Sequence, residues 1–412
     1  MKKSTLLTTL LIMLPLNAIG QYTRINSAQS RNALYFNVDR LWSYNLYEKS
    51  RWGLGLRYDI NFDPQSSLKT LSLDGYVGYG YADQRVKWGL QADLLGSHKR
   101  KPHAYLGFFH DLTQDASRDL DGYDLTSFTS SYAFMIRRFS ETDRLYAGAG
   151  FSPNGKLTLG AEVRLARERR LFDQYSLYYP ADADERALFP LHRYLEGRFT
   201  ASHTNGLSAE LLVGTADADI FGVHADYPLY ARLLGQYRHT FKVAKLFSLK
   251  TFAQAGVTSA DLPYSRHFDI GGIWSSPLAL ERALSVAMPN EFTANAFALA
   301  TLKFGFSEPL FKFYLNAISI GMAPRPFVMV GGEWGQLWEQ DDEGLRWHDE
   351  IEVMAPSRGI AEVGAGIDGL IRWGAVDWGF AVAYRLTPST APYAFAEKSD
   401  NLSFLITAYL RQ

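Results

Sequence analysis

The chain of 412 residues has no cysteine, so neither a disulfide nor a lipid-acylated cysteine anchor is available to it. It has almost no net charge, −1 at neutral pH, and its Lys and Arg do not gather into a tail or a single stripe, which removes the electrostatic footprint of a nucleic-acid binder. Beyond the N-terminus no run of 18 or more apolar residues occurs, so no membrane-spanning helix is expected. Without disulfides, stability must come from a large hydrogen-bonded scaffold, and a closed β-barrel is one such scaffold.

What the chain does have begins at Met1-Lys2-Lys3, a positive start followed by an apolar stretch from Leu6 to Leu16 that is too short to cross a bilayer. This pattern is that of a secretory signal peptide. Small residues at Ala18 and Gly20 place the expected cleavage near Gly20, so residues 1–20 form the signal and 21–412 the mature part, about 390 residues beginning near Gln21. Aromatic residues make up 14% of the chain, with 34 Gly beside them, a composition that suits the girdles and walls of outer-membrane barrels.

Hydrophobic periodicity is two, not 3.6. In Arg51 to Phe62 one face reads Trp52, Leu54, Leu56, Tyr58, Ile60, Phe62 and the other Arg51, Gly53, Gly55, Arg57, Asp59, Asn61. A strand with lipid on one side and a polar interior on the other requires this division. The pattern returns at Leu71–Tyr81, Leu157–Leu165 and Leu402–Leu410. Pro153-Asn154-Gly155 and Thr204-Asn205-Gly206 have hairpin-turn chemistry. The expectation is an all-β protein, a closed antiparallel transmembrane barrel of about 16 strands (14–18), at roughly 24 residues per strand and connection. Longer polar connections fall at 111–125, 167–191 and 336–358, and the pattern alone does not phase them to one end. No linker or second domain interrupts it.

Candidate chemistry is sparse. Ser202-His203-Thr204-Asn205-Gly206 is similar to the His-x-Ser-Asn-Gly motif of outer-membrane phospholipases. One residue is missing between the histidine and the hydroxyl, which turns the two to opposite faces of a strand, so no enzyme is expected. The acidic stretch Glu339, Asp341, Asp342, Glu343, His348, Asp349, Glu350 lacks the glycine and spacing of a calcium loop and reads as a solvated loop. No cofactor or metal is expected. The basic turn His98-Lys99-Arg100-Lys101-Pro102-His103 is either solvated or placed to meet lipid phosphates.

Tyr79-Gly80-Tyr81-Ala82-Asp83 followed by Lys87-Trp88-Gly89 resembles the hairpin of an outer-membrane barrel family of unknown function, whose members usually carry an N-terminal carboxypeptidase-regulatory-like domain. Further matching segments are Asn45-Leu46-Tyr47-Glu48 with Arg51, Phe268-Asp269-Ile270-Gly271-Gly272, Pro289-Asn290-Glu291-Phe292, Arg325-Pro326-Phe327-Val328, Gly366-Ile367-Asp368-Gly369-Leu370 and Tyr384-Arg385. The resemblance implies a barrel-only relative of the BamA-like, or bacterial surface antigen, superfamily. It also implies outer-membrane localisation in a Gram-negative-type cell, contact with outer-membrane lipid including lipopolysaccharide, and a non-enzymatic role in membrane biogenesis or transport. A diffusion porin and, behind it, a lipid-modifying enzyme are the alternatives. Such barrels fold a loop with an Arg-Gly-aromatic motif into the lumen. Here no such tripeptide follows Gly272, and the next arginine is Arg282. Phe268, Gly271, Gly272, Arg282, Asn290, Glu291 and Phe292 are therefore the candidate lumen loop and barrel motif: either Ile273–Pro289 is an inserted or capping loop, with Arg282 and Glu291 as interior charges, or Asn290-Glu291-Phe292 simply opens the next strand.

Overall fold

In a computed structural model of the chain, the described residues are 22–27, 30–45, 47–97, 100–114, 139–170, 191–217, 227–260, 262–271, 292–315, 320–336, 357–373, 376–387 and 402–410. The expected signal peptide lies outside them. The strands are, in order, β1 (Tyr22–Arg24), β2 (Ala33–Asn37), β3 (Trp42–Asn45), β4 (Lys49–Asn61), β5 (Leu68–Gly80), β6 (Val86–Gly96), β7 (His103–Gln114), β8 (Phe139–Phe151), β9 (Leu157–Arg170), β10 (Leu191–His203) and β11 (Leu207–Ala216). They continue as β12 (Tyr227–Lys242), β13 (Phe247–Thr258), β14 (Phe268–Ile270), β15 (Phe292–Ala294), β16 (Ala296–Phe306), β17 (Phe313–Leu315), β18 (Ile320–Met322), β19 (Arg325–Gln336), β20 (Ser357–Trp373), β21 (Val376–Arg385) and β22 (Leu402–Leu410).

Twenty of these form one sheet, and β14 with β15 forms a separate two-stranded ladder. Twenty departs from the expected sixteen, and four short segments make the difference. A 3-10 turn at Val38–Arg40 divides what would be one strand into β2 and β3, both of which pair with the same strand, β4. Strand β1 adds three residues alongside β2. The hairpin β17–β18 joins the sheet only through Ile320 and Gly321 on β20. Every strand pairing in the sheet is antiparallel, and the long strands follow one another as a meander from β4 to β13, then β16, β19, β20, β21 and β22.

That meander phases the connections. The short turns 62–67, 152–156, 204–206 and 243–246 lie at one end, and Gly155 and Gly206 take the positive φ that their hairpins require. The strand ends that border the stretches 115–138, 171–190, 218–226, 337–356 and 388–401, which are outside the described residues, lie at the other end together with the turn 81–85, while the longer connection 307–324, which carries β17 and β18, lies with the short turns. The strands that border the three long stretches singled out from the sequence thus break off at one end, an ordering that periodicity alone leaves open.

The two faces of the sheet differ as the alternation requires. Trp52, Leu54, Leu56 and Tyr58 on β4, and their counterparts Leu73, Val77, Val86, Leu90, Val163, Phe199 and Leu233 on other strands, are exposed. On the opposite face Arg51, Lys87, Asp111, Glu168, Glu196 and Arg232 are buried. Arg51 on β4 reaches Asp111 on β7 at 2.6 Å, although three strand steps of a flat sheet span about 14 Å. Tyr146 on β8 similarly reaches Gln91 on β6. The sheet is therefore strongly curved, with the polar face concave and the apolar face convex. Among the described residues no helix is long and apolar enough to cross a membrane.

Candidate functional site

After β13 the chain leaves the sheet and does not rejoin it until β16. The described parts of this excursion lie on the polar concave face. Leu262 is buried against Ala166, Tyr194, Leu212, Ala216 and Tyr230, which come from β9 to β12. A 3-10 turn at Tyr264–Arg266 follows, and it presents Arg266 to two carboxylates. The guanidinium donates from Nη1 and Nη2 to Glu168 at 2.8 and 3.1 Å, and from Nε to Glu196 at 2.5 Å. It also lies over the Tyr194 ring, 4.1 Å from the centroid. Burial alone would push the Arg266 pKa down, but Glu168 and Glu196 hold it well above its ordinary value, so the group stays cationic.

The wall around this anchor is a lattice of charges. Arg144 on β8 donates to Glu168, and the Tyr230 hydroxyl on β12 donates to Glu196 at 2.6 Å. Glu210 on β11 pairs with Arg198 and Arg232, while Glu162 on β9 accepts from Arg164 and from the Tyr105 hydroxyl. Buried charges persist only where partners replace lost water, and Arg266 is the partner contributed by the excursion.

Three of the candidates named from the sequence fall in the described part of the excursion. Phe268 opens β14 and is fully buried, 4.7 Å from the Phe297 ring and beneath Arg232 at 4.5 Å. Its ring tip comes close to the backbone of β13 at Gly256. A Cβ there would meet Phe268 Cζ at 2.5 Å and the Phe297 ring at 2.7 Å, so only glycine allows this approach. Gly271 has φ of 135° and its N–H donates to Glu333 on β19 at 3.2 Å. Phe292 begins β15, which pairs with β14 so that Phe268 faces Ala294 and Ile270 faces Phe292. The excursion is thus tied to β9 and β10 by Arg266 and to β19 by Gly271. Gly272, Arg282, Asn290, Glu291 and the stretch Ile273–Pro289 lie outside the described residues, as does the acidic loop at 339–350. The sequence reading missed Arg266, whose carboxylate partners stand 98 and 70 residues away.

A second network explains the hairpin motif. Glu48, in the turn after β3, accepts from Arg51 at 2.7 to 3.0 Å and lies 3.8 Å from the Lys87 ammonium, which pairs with Asp83 at 2.5 Å. Arg51 also pairs with Asp111, whose second oxygen accepts from Tyr76. Gly80 leaves room for this cluster, because a Cβ would stand 2.8 Å from Glu48 Oε1 and still closer to Asp83. Burial pushes the Glu48 carboxyl up, against the opposing pull of Arg51. At His203, Asn205 N–H donates to the ring at 3.2 Å and Leu207 N–H to the Asn205 side chain, which is the geometry of a hairpin turn.

The described sheet is thus a strongly curved, wholly antiparallel meander with an apolar convex face and a segment packed on its polar concave face. BamA from Haemophilus ducreyi lacking POTRA domains 1–3 superposes with a TM-score of 0.52 at 12% identity, over 97% of this chain and 78% of that one. CdiB from Escherichia coli gives 0.44 at 12% identity over 93% and 64%. Wzi, a carbohydrate-binding outer-membrane β-barrel involved in group 1 capsule assembly in Escherichia coli, gives 0.32 at 10% identity over 95% and 85%. The likeness to BamA shows the fold. No protein-family model matches the chain, and a comparison with curated proteins gives no match either.

Proposed function

We propose that the protein is an integral outer-membrane barrel, closed in the membrane, whose lumen is plugged by its own chain, and that it works without enzymatic chemistry in outer-membrane assembly or regulated transport. The observation that carries this reading is the seating of the excursion at 259–271 across the concave face, with Arg266 bonded to Glu168 and Glu196 and Gly271 bonded to Glu333. An open diffusion porin needs a water-filled passage bordered by polar groups; here a buried leucine, a phenylalanine and an ion-paired arginine occupy that face. The short turns would lie on the periplasmic side and the long connections outside, as is usual for such barrels. Partners would be outer-membrane lipid and other envelope proteins, and no nucleic acid.

Single-channel recording of the purified, folded chain in a planar bilayer tests the plug. The wild type is expected to carry no steady conductance. Gly256→Leu, which drives a side chain into the place of Phe268, is expected to produce discrete openings while the barrel stays folded, since overpacking costs about 1–3 kcal/mol. Steady conductance in the wild type would return the porin reading.

A further inference from the structure

The convex face carries a sharp boundary near the end that bears the long connections. Phe108, Leu145, Leu165 and Leu195 lie side by side in register across β7 to β10, with Trp88 packed on Phe108 at 4.9 Å. Two residues further along each strand, the next row on the same face is His110, Asp143, Arg167 and Arg193, again in register. On β9 the apolar row runs from Leu157 to Leu165. Nine residues at about 3.3 Å each, with a tilt of roughly 40°, cover about 23 Å, close to the lipid-facing band of an outer-membrane barrel. The charged row therefore begins where the hydrocarbon would end.

Among the described residues this row holds more arginines than carboxylates. Arg167 and Arg193 are directly opposite on adjacent strands, a placement that like charges disfavour. Arg169 stands one step beyond Arg167 on the same face, opposite Glu141. Glu141 pairs with Arg85 at 2.5 Å and lies 3.6 Å from His110. Asp143 is shared between His110, at 2.6 Å, and Arg167, at 2.5 Å. Asp217, after β11, accepts from the His192 ring and the Arg193 backbone N–H, and its charge also acts on the Arg193 side chain beside it. Among the described residues, four arginines, Arg85, Arg167, Arg169 and Arg193, thus stand around three carboxylates, Glu141, Asp143 and Asp217, that are already engaged, and the Arg193 side chain is exposed.

We propose that this row is a binding site for the phosphate groups of an anionic outer-leaflet glycolipid, seated with its acyl chains on the Leu145–Leu165–Leu195 row and its phosphates between Arg167, Arg169 and Arg193. Arginine forks suit phosphate oxygens, and an anion there relieves the opposition of Arg167 and Arg193. The assignment rests on the membrane-barrel reading above.

The test uses the folded mature chain in detergent micelles with bis-phosphorylated lipid A as probe, bound lipid being counted by native mass spectrometry. Arg167→Gln/Arg169→Gln/Arg193→Gln is expected to bind it roughly a hundredfold more weakly, and Arg193→Gln alone roughly fivefold, since each cation near a membrane surface is worth about a factor of five. The charge-matched variant Lys156→Gln/Lys242→Gln/Lys245→Gln alters exposed residues at the other end and is expected to bind as the wild type does. Equal binding by the first triple variant and the wild type would overturn the assignment. So would equal loss in both triple variants, or full displacement of the lipid by inorganic phosphate, which would mark a soluble-anion site. Heat-modifiable migration confirms that each variant folds. Resistance of the wild type to alkaline extraction from membranes separately tests the membrane reading, so a failure of one is not mistaken for a failure of the other.

Discussion

Arg266→Ala is expected to lower the unfolding free energy of the folded chain by about 3–5 kcal/mol, because it leaves the buried Glu196 without its ion-pair partner and Glu168 with Arg144 alone. Glu168 and Glu196 are buried, and of the three side chains that bond them only Arg144, a cation on Glu168, and Tyr230, a neutral donor to Glu196, would remain. The loss has a direction as well as a size. The wall keeps its ladder of backbone bonds, while the excursion loses its anchor on β9 and β10, so the same variant is expected to show conductance steps in a planar bilayer. Arg266→Lys keeps the charge but cannot bridge two carboxylates with a planar fork, and should fall between the two. Guanidinium titration in detergent, followed by tryptophan fluorescence, measures the first effect. A change below about 1 kcal/mol with no conductance would mean that the excursion is held by its apolar contacts alone.

The second large effect concerns Arg51. Arg51→Met leaves Glu48 and Asp111, both almost wholly buried, without their shared cation, and a loss of about 3–5 kcal/mol is expected. The companion variant Arg51→Met/Glu48→Gln/Asp111→Asn removes all three charges together. Replacing a complete buried set is often close to neutral, so the triple variant is expected to recover most of what the single one loses. Equal stability of the single and triple variants would show that hydrogen bonding in this cluster, and not its charge balance, sets the cost. Both variants lie on the concave face near the long-connection end, away from the excursion, so neither should open the lumen.

How much of this was legible beforehand depends on the range of the physics involved. The alternation in β4 is local, since each side chain's face follows from strand geometry alone, and it gave both the strand and its apolar side. The Asn-Gly turns are local too. The strand total was not legible, because the 3-10 turn at Val38–Arg40 and the three-residue segments β1, β17 and β18 have no periodicity to display. The end on which the long connections lie follows only from counting every strand in order, which one missed segment upsets. In the site, the sequence drew attention to Phe268 and Gly271 and passed over Arg266, two residues before Phe268. Tyr264-Ser265-Arg266-His267 has no repeat or spacing, and its meaning is supplied by Glu168 and Glu196 on two other strands. Within Glu48, Arg51, Asp83 and Lys87 the reverse holds: these were visible as pieces of a motif, and the structure supplies the reason they occur together.

The meander also sets a timetable. Almost every strand pairs with its neighbour in the chain, so the sheet can grow hairpin by hairpin from its first edge, with little loop entropy lost at each addition. Glu168, Glu196 and Tyr230 all precede Arg266 in the chain, whereas β16 to β22 follow it. A chain delivered from its N-terminus therefore presents the receiving wall first and the arginine second, and the later strands arrive last. If the barrel closes as proposed, the interior can be filled while one side of the wall is still unbuilt, which spares the segment from being threaded into a finished cylinder.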